Sequence, residues 1–181
     1  MTAIYATQNS LLLDNLLKFY KQNNRLDTML GIINGESKIS LRIVDWFATN
    51  YAKQRFTVYT LNDGTRFKVY NDYKLKLRAY SKKRFDPFCR WDRIIIPYKE
   101  NNSIQTTIGQ LNFFKWALEN EVIKYIENNY SDIEKDMNSR NSTSKRRSVN
   151  ITKTRKKREE LSVSATKSVK KETVEVVLKF D

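Results

Sequence analysis

Two short patterns are the places where this chain has the residue types and spacing for chemistry. Asp63 followed by Asp72-x-Lys74, and Asp27 followed by Glu36-x-Lys38, share the order acid, spacer, acid-x-lysine. Magnesium-dependent nucleases need such a set, because two carboxylates converge on the metal while a lysine stands beside the attacked phosphate. Both patterns are short and arise easily by chance, and Asp63 suits a tight turn as well as Asp72 suits a helix N-terminus. The remaining composition closes most other routes. The chain has no histidine, which removes His-based acid–base catalysis, Ser-His and Cys-His pairs, and most zinc sites. Its four glycines, Gly31, Gly35, Gly64 and Gly109, form neither a P-loop nor a dinucleotide fingerprint. Cys89 is the single cysteine, so no disulfide framework is expected. Arg90 beside it favours a thiolate, but without a histidine partner a packed structural thiol is the expectation. These residues point to a non-enzymatic protein that needs no metal or cofactor.

Charge says more than chemistry. Between Met137 and Glu159 stand Arg140, Lys145, Arg146, Arg147, Lys153, Arg155, Lys156, Lys157 and Arg158, with no acid among them. Ser, Thr and Asn fill most of the gaps, and Val149 and Ile151 are the only apolar residues. Such a segment cannot bury enough apolar surface to offset the entropy of ordering it, so a flexible arm is expected from Asn138 to Glu172. Like charges this close repel unless something negative lies between them, and phosphate backbones are the usual answer. From Asn138 onward there are 13 basic and 5 acidic residues, a net +8; before it there are 21 and 15, a net +6. An AT-rich coding bias would account for many lysines, but not for acid-free clusters rich in arginine. The arm therefore reads as a tether for nucleic acid or an acidic surface. Lys145-Arg146-Arg147 and Arg155-Lys156-Lys157-Arg158 also have the bipartite form of a nuclear import signal, and a merely solvating tail is the bland alternative.

A second basic stretch runs from Arg66 to Trp91, where nine lysines and arginines face only Asp72 and Asp86. Phe67, Tyr70, Tyr73, Tyr80, Phe85, Phe88 and Trp91 interleave with them. On a helix, Lys74, Arg78 and Lys82 would form an i, i+4, i+8 stripe. Basic stripes beside exposed rings are what single-strand and backbone-reading surfaces use. The competing reading puts these aromatics in the core and leaves the lysines as ordinary surface.

The elements that must position these residues follow from periodicity. Ser10 is a candidate N-cap for a helix to about Gln22, with Leu12, Leu13, Leu16, Leu17 and Tyr20 inward. A second helix begins near Ser37 or Ser40 and buries Ile39, Ile43, Trp46, Phe47 and Tyr51. Phe56–Leu61 and Thr65–Tyr70 flank Asn62-Asp63-Gly64, a hairpin signal with Gly64 at positive φ. Asp72–Lys83 alternates like a strand over Lys74–Arg78, yet Tyr73, Leu77, Tyr80 and Arg84 have helical spacing; a helix is the favoured reading. Asp86-Pro87 marks a turn, and Arg93–Tyr98 reads as a buried strand ending near a sheet edge at Pro97. The longest helix is expected from Thr107 to Asn128, at the centre of the core. Thr173–Phe180 alternates again, with Val174, Val176, Leu178 and Phe180 on one face, and such a strand needs an edge to pair with.

The stretches Ser40–Tyr51, Tyr80–Arg90 and Thr106–Phe114 together resemble a family of small proteins of nucleocytoplasmic large DNA viruses, such as the giant and algal viruses. The resemblance covers roughly residues 35–130, and it implies viral context without implying an activity or site residues. The whole chain thus reads as an α+β domain over residues 1–137, with helices packed on a small, mainly antiparallel sheet. A flexible basic arm follows over 138–172, then a strand-like segment over 173–181. The expected function is a basic structural protein of a large DNA virus, binding nucleic acid or an acidic assembly partner through its arm. A minor capsid or scaffold protein with a threading arm, and a magnesium-dependent nuclease, are the alternatives. No stretch approaches the roughly 20 apolar residues of a membrane span, and the N-terminus has no leader-like pattern. The expected locations are therefore the host nucleus, the viral factory or the virion.

Overall fold

A computed structural model describes residues 7–22, 24–90, 92–98, 102–149 and 171–173, with backbone alone for 141–149 and 171–173. The architecture is α+β, as expected. Helix α6 (Ile108–Glu119) is its axis. Leu111, Phe113, Phe114 and Ala117 are wholly buried, and Ile108, Gln110, Asn112 and Trp116 nearly so. A helix buried on all sides has to be surrounded, and burying each large apolar side chain contributes about 1.5–3 kcal/mol. The surrounding elements are α1 (Gln8–Tyr20), α5 (Val69–Phe85) and α7 (Val122–Asn128), with strand β4 (Asn102–Thr107) leading into α6. Thr107 caps α6 by accepting the Gln110 N–H at 3.1 Å. Tyr20 on α1 is buried and donates its hydroxyl to the Leu111 carbonyl at 2.6 Å.

The α1 cap is Thr7, whose Oγ1 accepts the Ser10 N–H, so Ser10 itself lies inside the first turn. Helix α2 (Arg25–Ile33) follows and buries Met29, Leu30, Ile32 and Ile33. Ser40 caps α3 (Leu41–Trp46), which passes through a π-helical turn at Phe47–Tyr51 into the short α4 (Ala52–Gln54). The hairpin is β1 (Val58–Thr60) against β2 (Arg66–Lys68), antiparallel, with Val58 opposite Lys68. Gly64 adopts φ +83° in its turn, as the Asn-Asp-Gly sequence requires. The turn is fastened to the core: the Asn62 N–H donates to Glu121 at 2.9 Å, and the Tyr59 hydroxyl donates to the Asn120 carbonyl at 2.7 Å.

The ambiguous segment is helical. It forms α5, which is interrupted at Ser81 (φ 63°, ψ 167°), a conformation that side chains other than glycine rarely hold. The expected single helix over Thr107–Asn128 is two, because Glu121 turns left-handed (φ 54°) between α6 and α7. Strand β3 (Arg93–Tyr98) pairs antiparallel with β4, from Arg93 opposite Thr107 to Tyr98 opposite Asn102; it was expected to be buried, but as an edge strand it buries only Ile96 and leaves Ile95 exposed. On the other edge of β4 lies β5 (Lys171–Thr173), also antiparallel. The chain thus returns to its own sheet at the first residue of the segment expected to be a strand, Thr173; residues 174–181 lie outside the described part.

Helix α8 (Tyr130–Val149) runs across residue 137, the expected end of the domain. Ile133 and Met137 pack in the core, and the helix then runs on through Asn138 to Val149. The backbone that was expected to be a flexible arm from Asn138 is therefore helical for its first part. A helix needs no core along its whole length when its first turns are anchored, because propagation is far easier than nucleation.

Candidate functional site

The sequence-predicted cations fall into three groups. Arg140 is held in place rather than presented. Its Nη2 and Nε donate to Asp136 Oδ1 at 2.8 and 3.2 Å, and its guanidinium lies 5.5 Å from the Trp46 ring centroid. Trp46 Nε1 donates to the other Asp136 oxygen at 2.9 Å, so the three side chains fix α8 on α3. Lys145, Arg146 and Arg147 lie farther along α8. Lys153, Arg155, Lys156, Lys157 and Arg158 lie outside the described residues.

Lys74, Arg78 and Lys82 are all exposed on α5. Lys74 and Arg78 sit one turn apart and, with Asn71 and Leu75, line a shallow groove of about 300 Å³. The break at Ser81 falls between Arg78 and Lys82, so helical spacing does not carry the stripe through to Lys82. Of the interleaved aromatics, Phe67, Tyr73 and Phe85 are buried, and Tyr70, Tyr80 and Phe88 are partly so. Phe85 and Tyr73 pack with Phe113 and Trp116 at ring-centroid distances of 5.7 to 6.4 Å. That part of the stretch is core. Trp91 lies outside the described residues.

The exposed aromatic surface is formed by a residue that periodicity placed inside a strand. Phe56 precedes β1 in the left-handed region (φ 48°), and it is 85% exposed. With Ala52, Lys53, Thr57, Val58, Lys68, Tyr70 and Asn71 it encloses a cavity of about 450 Å³. Lys53 Nζ stands 5.7 Å from the Tyr70 ring centroid. Asn71 lines both this cavity and the α5 groove, so the two adjoin. Together their linings contain Lys53, Lys68, Lys74 and Arg78 and, among the described residues, no carboxylate. On the cavity wall is Thr57, whose backbone is bonded to Ala52 and Val69 and whose buried Oγ1 has no hydrogen-bond partner among the described residues. A signal for this site was present: Phe56 and Val58 alternate with Thr57 and Tyr59, so a two-stranded hairpin carries apolar residues on both faces. One of those faces has to be exposed.

The three aspartates of the acid–lysine patterns each have a partner within the fold. Asp63 accepts the Thr65 N–H at 2.8 Å, which holds its carboxyl below the usual range, and Asp72 accepts from Trp116 Nε1 at 2.7 Å. Asp27 accepts the Tyr98 hydroxyl at 2.6 Å. Among the described residues no group of three or more Cys, Asp or Glu is placed to hold a metal ion. Cys89 is half-buried and free. One acid is unusual. Asp45 on α3 is pushed up to about 7, chiefly by burial and further by the Asp86 carboxylate at the end of α5. No helix among the described residues is long and apolar enough to cross a membrane.

The chain is 44% identical over 135 residues to an uncharacterised protein of Acanthamoeba polyphaga mimivirus. That match covers 70% of this chain and 52% of the mimivirus protein, so the chain spans about half the length of that relative. No solved structure matches it. The model of a family of unknown function, DUF7197, matches residues 3–181, and the chain belongs to that family.

Proposed function

We propose that this chain is a non-enzymatic nucleic-acid-binding protein of a large DNA virus, acting in the host nucleus or viral factory, with its basic C-terminal segment as a sequence-independent tether. The viral setting rests on the mimivirus relative. The observation that carries the binding role is the path of α8. Ile133 and Met137 anchor it in the core, and Lys145-Arg146-Arg147 follow about two turns later on the same helix. The acid-free cationic run thus starts from a fixed point on the body and continues away in sequence. A fixed root favours a phosphate tether over a solvating tail, because a rigid start lowers the entropy of bringing each following cation to a polyanion. Phosphate contacts carry no base information, so affinity should be nearly equal for all duplex sequences.

The test is charge reversal in the full chain. Lys145→Glu, Arg146→Glu and Arg147→Glu together should weaken duplex binding and flatten the log–log salt slope by about 3, since each phosphate contact adds about −0.9. Unchanged affinity and slope in that variant would remove the segment from the interface. Retained binding to an acidic protein surface, with none to nucleic acid, would favour an assembly role instead.

A further inference from the structure

We infer that the depression between Phe56 and Arg78 is a binding site for unpaired bases, seating one nucleobase of a single strand in the Phe56–Tyr70 cavity with its phosphates along Lys68, Lys74 and Arg78. This rests on the nucleic-acid reading above and adds a second, chemically different site to it. Three observations converge on this ligand. The cavity, at about 450 Å³, lies in the range of about 300–1,000 Å³ typical of small-ligand sites. Its apolar wall has aromatic rings at the mouth and side, Phe56 and Tyr70, and sequence-tolerant stacking needs such rings because every base has a π-face. Its polar lining is cationic, and the adjoining groove continues that charge to Arg78 without a carboxylate.

The backbone supports the same conclusion. Phe56 holds a bulky side chain at φ 48° and leaves it 85% exposed, so neither local strain nor burial is relieved by this arrangement. A ring kept in water by a strained residue contributes little to folding and is available for stacking. Duplex bases have their faces stacked on one another, so they offer no free ring face to Phe56. A single strand does. An apolar peptide would fill the cavity but would leave the cations of the groove without counter-charge.

The experiment compares a labelled oligothymidylate with a duplex of equal length, both titrated against the full chain by fluorescence anisotropy at near-physiological salt. Phe56→Ala should reduce single-strand affinity about 5- to 150-fold, the range for losing one base stack, and leave duplex affinity within about twofold. Because Phe56 is exposed, this variant should melt at the wild-type temperature. Photo-crosslinking of a bromouracil-containing strand should map to the peptide containing Phe56. Equal loss for both nucleic acids, or no loss for either, overturns the base site. If the α8 charge reversals still abolish duplex binding in that case, the tether stands without it. A wild-type chain that binds neither nucleic acid overturns both.

Discussion

Replacing Asp45 by Asn should stabilise this protein at alkaline pH and leave it unchanged in acid. Burial holds the Asp45 carboxyl at about 7, against 3.8 for the exposed group, with the Asp86 carboxylate adding to the displacement. The buried Tyr73 hydroxyl feels the same two acids and is itself raised, first by burial. Between about pH 4 and 7 the folded chain therefore keeps a proton that the unfolded chain has released. The unfolded state binds fewer protons there, so stability falls as pH rises through that window and is lowest above it. Each pH unit of displacement corresponds to about 1.4 kcal/mol, which sets a ceiling of about 4 kcal/mol. Asp45 is half-buried, so water screening should reduce this to about 2 kcal/mol. Urea midpoints of wild type and Asp45→Asn, measured from about pH 4.5 to 8, should coincide at the acid end and diverge in favour of the variant. Taking the difference between the two proteins cancels the other carboxylates. A difference that stays flat with pH, or a variant less stable at about pH 8, would show that Asp45 is ionised without penalty and refute the reasoning.

Gly109→Ala should destabilise the fold by about 1–3 kcal/mol instead of giving the gain of about 1 kcal/mol usual for a helical glycine. An added Cβ would lie 2.7 Å from the Asp86 carbonyl oxygen and 3.1 Å from that of Lys83, and both are backbone atoms that cannot swing aside; thermal melts decide the sign. Purified protein with magnesium or manganese should leave single- and double-stranded DNA and RNA uncut on gels. Turnover abolished by Asp72→Ala in a folded protein would reinstate the nuclease reading.

What was legible in the sequence was whatever local chemistry decides. Asn62-Asp63-Gly64 fixed the hairpin because only glycine takes φ +83° easily, and Ser40 capped α3 where a cap residue precedes an apolar period. Tyr73 and Leu77 marked α5 because both turn toward the core. What stayed hidden depends on tertiary contacts. Strand β4 is polar apart from Ile104 and exists because β3 and β5 pair on either side of it. The break between α6 and α7 uses a left-handed Glu121 where no glycine announces it, and its carboxylate is engaged by the hairpin turn. Helix α8 outlasts its apolar pattern because Ile133, Met137 and the Asp136–Arg140–Trp46 cluster anchor it.

The candidate site was half legible for the same reason. Charge and spacing are visible in sequence, so Lys74 and Arg78 could be expected one turn apart on a helix, whereas the place of Lys82 depended on a helix that breaks at Ser81. Arg140 looked like one more cation of the arm, but its neighbour four residues back neutralises it. Phe56 looked like one more strand residue, and only the left-handed turn before β1 sends its ring outward.

Duplex binding as a function of salt tests the central claim most directly. With Arg140 committed to Asp136, eight cations of the basic run remain for phosphates. At about −0.9 per contact they set a ceiling on the log–log slope of about −7. The account predicts a linear, steep fall approaching that value for any duplex sequence, with a clear flattening on reversing Lys145, Arg146 and Arg147. Binding that is insensitive to salt, or a slope unchanged by those reversals, would contradict it.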